Sequence, residues 1–141
     1  MKDKYFLDTN VLVYSFDGKA KAKQKTSQEL ISSALSENQG VISYQVVQEF
    51  IHLSSRKFEK PFSLLESLKY LEEVLEPLCE IHSSMELYRR ALRIKEEFGY
   101  AFYDALIISG AKEGGCKLLY SEDLRHEQTV VGVKIINPFL G

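Results

Sequence analysis

Short apolar runs and longer amphipathic segments alternate along the whole chain. The runs predict five buried strands, because each is short and bounded by polar residues or glycine; they lie at residues 4–7, 41–42, 78–81, 117–120 and 134–136. The segments between them place apolar residues three and four positions apart, and this spacing predicts helices. Strands separated by helices need crossover connections, so the pattern indicates a parallel sheet covered by helices on both faces.

Polar residues set the expected limits of the helices. Six helices are predicted, at residues 11–16, 20–36, 44 to about 58, 64–76, 84 to about 98, and 102–113. Ser43 is the predicted N-cap of the third. Capping-box patterns at Ser63–Glu66 and Ser83–Glu86 open the fourth and fifth, and Pro77 is expected to stop the fourth.

Length and composition indicate one globular unit. The 141 residues (16.2 kDa) are 45% hydrophobic and 27% charged, which suits a single domain with its own core. We therefore expect residues 1–141 to form one α/β domain, with three α/β/α layers and a mostly parallel central sheet of four to five strands. No apolar run approaches the roughly 20 residues of a membrane helix. The two cysteines lack metal-binding spacing, so a cytoplasmic protein with no membrane partner is expected.

Aspartate is scarce in this chain, with five Asp against fifteen Glu. Asp8 directly follows the first predicted strand, and Asp123 follows the fourth. Asp104 lies in the first turn of the helix that precedes the fourth strand. Because open parallel sheets bind ligands outside the carboxyl ends of their strands, these three aspartates are candidates for one site.

A fourth carboxylate, Glu49, borders the apolar stripe of its predicted helix. Asp104 likewise shares a helix face with Ile107 and Ile108. Carboxylates are rarely placed against a core unless their charge is compensated, and four of them suit Mg²⁺ or Mn²⁺, which prefer oxygen ligands. Taken singly, each residue also has an ordinary structural reading, as a helix cap, a turn former or an outward-turned side chain.

Four segments, in this order, resemble the motifs of the PIN-domain nucleases. They are FLDTNVL at 6–12, QEF at 48–50, FYDALI at 102–107 and LYSEDL at 119–124. The resemblance spans the whole chain. Within the family the chain is most similar to the small VapC-type toxins of bacterial toxin–antitoxin pairs, which the closing Asn137-Pro138-Phe139 also matches.

The resemblance implies an activity, residue roles and partners. The activity is a metal-dependent endoribonuclease that leaves 5′-phosphate and 3′-hydroxyl ends. Its catalytic and metal-binding quartet comprises Asp8, Glu49, Asp104 and Asp123. Asn10 and Ser121 match neighbouring polar positions that orient carboxylates or water, with Ser121 standing where many members have Thr. The implied cofactor is Mg²⁺ (or Mn²⁺), and the implied partners are an RNA substrate, a cognate antitoxin protein and a second copy in a homodimer.

The charge balance bears on the RNA prediction. The net charge is −2, which excludes a protein coated in basic residues. Without the quartet, 18 basic residues face 16 acidic ones, so the rest of the chain is slightly basic. Basic clusters at residues 19–25 and 89–95 are either phosphate contacts or solvated helix faces.

The sequence also allows other functions for the protein and more than one role for its tyrosines. A non-cleaving RNA- or protein-binding module of the same fold is the main alternative, and a phosphatase with a covalent intermediate on Asp8 is a third. The tyrosines near the motifs either stack on bases or pack in the core; they are Tyr14, Tyr44, Tyr100 and Tyr103. His52, His82 and His126 have no partner at zinc-binding spacing and are predicted to be structural.

Overall fold

The computed structural model describes residues 3–140, which form one six-stranded sheet and its covering helices. The strands are β1 (Tyr5–Leu7), β2 (Gly40–Ser43), β3 (Cys79–Ile81), β4 (Leu118–Tyr120), β5 (Thr129–Val130) and β6 (Val133–Ile136). The helices are α1 (Thr9–Tyr14), α2 (Lys21–Glu37), α3 (Tyr44–Arg56), α4 (Leu64–Tyr70), α5 (Glu76–Leu78), α6 (Met85–Phe98) and α7 (Phe102–Glu113). Within residues 3–140, none of these helices has the length and apolarity to cross a membrane.

Helices cover both faces of the sheet. Successive strand residues point to opposite faces, and every residue of β1 and β2 is buried. On one face, a Cβ at Gly110 of α7 would lie 3.6 Å from the ring of Phe6. On the other, Gly40 lies so close to Ala34 of α2 and the ring of Tyr5 that a side chain would overlap both. The predicted three-layer α/β domain is confirmed.

The order of the strands changes direction at β1. The sheet order is β3-β2-β1-β4-β6-β5, so the chain adds β2 and β3 on one side of β1, then β4 and β6 on the other. β1 and β4 are parallel neighbours, with Leu7 opposite Tyr120, and the Asp8 N–H donates to the Tyr120 carbonyl at 3.0 Å. Their carboxyl ends form a topological switch point, where such sheets bind ligands.

Three local features differ from the predictions. The helical path continues one residue past Pro77, to Leu78. A proline ring obstructs an α-helical turn, but the turn before Pro77, Leu71–Leu75, is a wider π-helical one. The N-cap of α6 is Ser84, whose hydroxyl accepts from the Leu87 N–H at 3.1 Å, so the pattern starting at Ser83 forms no capping box. β5 is a sixth strand, antiparallel to β6 and too short to leave a periodic signal.

Five aromatic rings pack against one another around Phe50 of α3, the residue that follows Glu49. They belong to Phe16, Phe50, Phe58, Phe62 and Tyr70. Phe50 directly follows Glu49, is 1% exposed, and stacks on Tyr70 with 4.6 Å between the ring centroids. This packing holds in place the part of α3 that carries Glu49.

We expect Phe50→Ala to lower the free energy of unfolding by about 3–5 kcal/mol, because it removes a fully buried ring and leaves a cavity. Urea denaturation measures the loss. Phe16→Ala is the matched control: Phe16 contacts the same cluster but is 42% exposed, so its loss should be less than half as large. Equal losses in the two variants would contradict the anchoring role of Phe50.

Candidate active site

A cleft of about 540 Å³ lies at the carboxyl ends of β1 and β4. All four predicted carboxylates line it: Asp8, Glu49, Asp104 and Asp123. They come from four places in the chain, namely the ends of β1 and β4 and the helices α3 and α7. The fold therefore brings the predicted quartet into one cavity, while the roles of its members remain a prediction.

Asp8 is the most buried of the four, with 7% of its surface exposed. It is the N-cap of α1, and its Oδ1 accepts from the Thr9 N–H at 2.7 Å, while Oδ2 accepts from the Ser121 hydroxyl at 2.7 Å. Burial raises the pKa of Asp8 to about 7, repulsion from neighbouring carboxylates adds to this, and the two hydrogen bonds oppose it. A capping role explains the backbone contact, but within residues 3–140 no Lys, Arg or His forms an ion pair with this buried carboxylate.

Asn10 links Asp8 to the segment after β4. Its amide Nδ2 donates to Asp123 Oδ2 at 3.1 Å and lies 3.4 Å from both Asp8 Oδ2 and Ser121 Oγ. Its Oδ1 accepts from the Glu122 N–H at 3.2 Å. Ser121 is fully buried, and its hydroxyl accepts from the Asp123 N–H at 3.2 Å. The two predicted supporting residues thus lie between the carboxylates and hydrogen-bond to them.

Glu49 and Asp104 stand on the helices α3 and α7. Glu49 is half-buried, and the Thr9 hydroxyl donates to its Oε1 at 2.6 Å, while Gln45 Nε2 donates to its Oε2 at 3.4 Å. Asp104 is half-buried too; burial, and then the nearby charge of Asp123, raise its pKa. The apolar surroundings that the sequence predicted for both side chains are therefore only partial.

Glu122 is a fifth carboxylate in the cleft wall, and its charge is compensated. Lys23 Nζ lies 2.6 Å from its Oε2, and the Tyr14 hydroxyl donates to Oε1 at 2.6 Å. Burial alone would raise the pKa of Glu122, but these hydrogen bonds outweigh it and lower the pKa. Among residues 3–140, no Lys, Arg or His forms such an ion pair with the predicted quartet.

The donor atoms of the cleft suit a hard divalent cation. They are oxygens of carboxylates, hydroxyls and an amide, the ligands preferred by Mg²⁺ and Mn²⁺. In the described part of the chain, no three His, Cys, Asp or Glu side chains stand close enough to form a ready-made metal centre. Mg²⁺ is usually held by one or two carboxylates, retained waters and substrate phosphates, so the wider placement is compatible with it. The uncompensated, buried Asp8 fits a central ligand.

Sequence reasoning missed several residues of the cleft. Thr9 and Gln45 hold Glu49, and Tyr14 holds Glu122, yet none was predicted to do so. For Gln45 a signal existed, because it lies four residues before Glu49 and so shares a face of α3 with it. The others depend on contacts between distant segments.

The aromatic and basic residues whose roles the sequence left open have different surroundings in the structure. Tyr103 lines the cleft and is 67% exposed, whereas Tyr100 is buried. Exposed His52 also lines the cleft, although the sequence assigned it a structural role. Several residues of the basic clusters are paired within the protein; the ion pairs are Lys19–Glu59, Lys23–Glu122, Arg89–Glu86, Arg90–Glu113 and Arg93–Glu86.

Solved structures with a similar fold include a toxin–antitoxin complex and a toxin. A toxin–antitoxin complex from Klebsiella pneumoniae matches with a TM-score of 0.68 at 17% identity, covering 96% of this chain and 98% of that chain. VapC20 from Mycobacterium tuberculosis, a sarcin–ricin loop cleaving toxin, matches at 0.64 with 19% identity, covering 85% and 90%. FitAcB from Neisseria gonorrhoeae matches at 0.65 with 19% identity, covering 96% and 98%. At these identities the likeness establishes the fold.

The family follows from the sequence itself. A comparison with curated proteins found no match. The family model of the PIN domain matches residues 5–131, a range that contains all four motif segments and every carboxylate of the predicted quartet. The strand order, the switch-point cleft and this match agree, and the chain belongs to the PIN domain family.

Proposed function

We propose that this protein is a divalent-metal-dependent endoribonuclease and the toxin of a type II toxin–antitoxin pair. One observation carries the proposal: four carboxylates line a cleft at the switch point, and within residues 3–140 none of them has an ion-pair partner. A bound cation would offset this concentration of negative charge. Membership of a nuclease family and structural neighbours named as toxins support the same activity.

The residues divide the catalytic work. A divalent cation in the cleft supplies water activation, charge neutralisation on the phosphate and stabilisation of the leaving alkoxide. Asp8 would be the central ligand, held by the Thr9 N–H and the Ser121 hydroxyl. Glu49, Asp104 and Asp123 would complete the ligand set directly or through water, and one of these carboxylates would accept the proton of the attacking water. The products carry 5′-phosphate and 3′-hydroxyl ends.

The proposal includes partners and a place of action. The acidic cleft accepts a segment of a small cognate antitoxin, which blocks access of RNA to the carboxylates. A structural neighbour whose name records a toxin–antitoxin complex supports such a partner. We further propose that residues 1–141 act as one nuclease domain, assembled as a homodimer in the cytoplasm.

Metal binding should stabilise the folded protein. We expect millimolar Mg²⁺ or Mn²⁺ to raise the melting temperature by about 4–10 °C, because a ligand that binds only the native state stabilises it by roughly 1–3 kcal/mol at 10–100 times its Kd. Differential scanning fluorimetry measures the shift, with NaCl at matched ionic strength as the control. An unchanged melting temperature would count against a cation site in the cleft.

RNA cleavage tests the activity directly. Protein purified free of antitoxin is incubated with a mixed RNA pool in Mg²⁺ and in EDTA, and the new 5′ ends are sequenced. Cleavage at defined sites only in Mg²⁺ is the expected result. RNA binding without cleavage would replace the proposal by a non-cleaving module, and hydrolysis of small phosphoesters through a covalent intermediate on Asp8 would replace it by a phosphatase.

A further inference from the structure

The Gln45 side chain joins the two helices that carry Glu49 and Asp104. Its Nε2 donates to the Tyr103 carbonyl at 3.0 Å and to Glu49 Oε2 at 3.4 Å. Tyr103 is the residue before Asp104 on α7. Both partner atoms are acceptors only, so the amide must turn its NH₂ group toward them. One side chain thus connects a carboxylate of α3 to the backbone beside a carboxylate of α7.

This orientation leaves the other end of the amide without a partner. Gln45 Oε1 is buried and accepts no hydrogen bond from residues 3–140. A buried acceptor left unpaired lowers stability, and each such group in a folded protein asks for an explanation. A methionine of nearly the same shape would pack there without that penalty. Packing therefore does not account for glutamine at this position, whereas its two donated hydrogen bonds do.

Glu49 is held from two sides. Thr9, which directly follows Asp8, donates from its hydroxyl to Oε1 at 2.6 Å, and Gln45 donates to Oε2. Each oxygen of the Glu49 carboxylate is therefore held by a residue connected to another member of the quartet. Thr9 directly follows Asp8, and Gln45 also hydrogen-bonds to Tyr103, the residue before Asp104. Hydrogen bonds of this kind orient carboxylate ligands, and losing one typically weakens metal binding about 10–100-fold.

We propose that Gln45 is a positioning residue for the metal site, setting Glu49 against Asp104 across α3 and α7 and so determining the cation affinity of the cleft. The inference rests on the proposed function in one respect, since it takes a divalent cation as the ligand of the cleft. It requires no contact between Gln45 and RNA.

Calorimetric titration of Mn²⁺ into the RNA-free protein tests this role. We expect Gln45→Met to bind Mn²⁺ about 10–100-fold more weakly than the wild type, while the melting temperature of the metal-free variant stays equal or rises. Gln48→Met is the matched control, because it makes the same change at an exposed position on the same helix; its Mn²⁺ affinity should not change.

The possible failures are distinguishable. A wild-type protein that binds no Mn²⁺ would overturn the proposed function, and the role of Gln45 with it. Wild-type binding with equally tight binding by Gln45→Met would overturn only the role of Gln45. A metal-free Gln45→Met protein that melts well below both the wild type and the control would make Gln45 a structural residue and overturn its positioning role. Gln45→Leu repeats each measurement with a differently shaped side chain, which separates the lost hydrogen bonds from the fit of methionine.

Discussion

The Asp8→Asn protein is expected to lose RNA cleavage by at least about 10²–10³-fold, because the substitution removes the charge of the proposed central ligand while keeping its size. The remaining amide can still accept from either the Thr9 N–H or the Ser121 hydroxyl, so the fold around β1 is retained. Cleavage is measured on the mapped RNA site at saturating Mg²⁺.

Although the Asp8→Asn protein should lose activity, its stability in the absence of metal should increase. The pKa of buried Asp8 is raised to about 7, so above pH 7 the wild type keeps an ionised carboxylate in a desolvated position. Asparagine avoids this, and we expect a gain of about 1–4 kcal/mol in the free energy of unfolding at pH 8. As the pH falls through 7 toward 4, folded wild type takes up a proton that the unfolded chain does not, so its stability rises and the difference shrinks.

Urea denaturation in EDTA at pH 8 and pH 5.5 measures both parts of this expectation. A difference that grows as the pH falls would mean that Asp8 is stabilised as the ion in the fold, and the cleft would then need no cation. Retained cleavage together with a loss of stability would sink the catalytic assignment of Asp8.

Expression of the wild type without antitoxin should arrest a bacterial host, whereas Asp104→Asn should allow growth at the rate of an empty vector. Asp104 lies in the first turn of α7, but Ala101 is the N-cap and no side chain caps this helix. The substitution loses the interaction with the helix dipole, about 0.3–1 kcal/mol, but it also removes a charge that burial and Asp123 disfavour, so the fold is retained. Its main effect is to remove a charge from the cleft.

Growth curves after induction, with immunoblots for equal expression, test this expectation. Asp3→Asn is the matched control, because Asp3 is exposed and does not line the cleft; that variant should arrest growth like the wild type. If the wild type and Asp104→Asn grow equally well, the protein is not a toxin under these conditions, whatever its activity on purified RNA.

Much of the fold was predictable because its signals are local. β1 is a run of apolar residues that ends just before Asp8, and β4 ends just before Ser121. Buried strands of a parallel sheet leave such runs in the sequence. The two-residue strand β5 and the helical path through Pro77 were not predictable in this way, since the first is too short for periodicity and the second depends on a π-helical turn.

The sequence by itself determined which carboxylates line the cleft. The carboxyl ends of parallel strands lie at one edge of any such sheet, so the positions of Asp8 and Asp123 after β1 and β4 were enough to place them at the same edge. A helix face near that edge then accounts for Glu49 and Asp104. These inferences need only the order of the elements and the helical period.

Only the tertiary structure decided which polar groups hold those carboxylates and which acidic residue is neutralised. Lys23 and Glu122 are 99 positions apart, and Gln45 and Tyr103 are 58 apart. Hydrogen bonds form only within about 3.5 Å and over a narrow range of angles, so they depend on how closely α2, α3 and α7 approach the strand ends. Periodicity predicts the face on which a side chain lies but not distances of that precision. Only the folded chain therefore shows that Glu122, unlike the quartet, has its charge neutralised by Lys23.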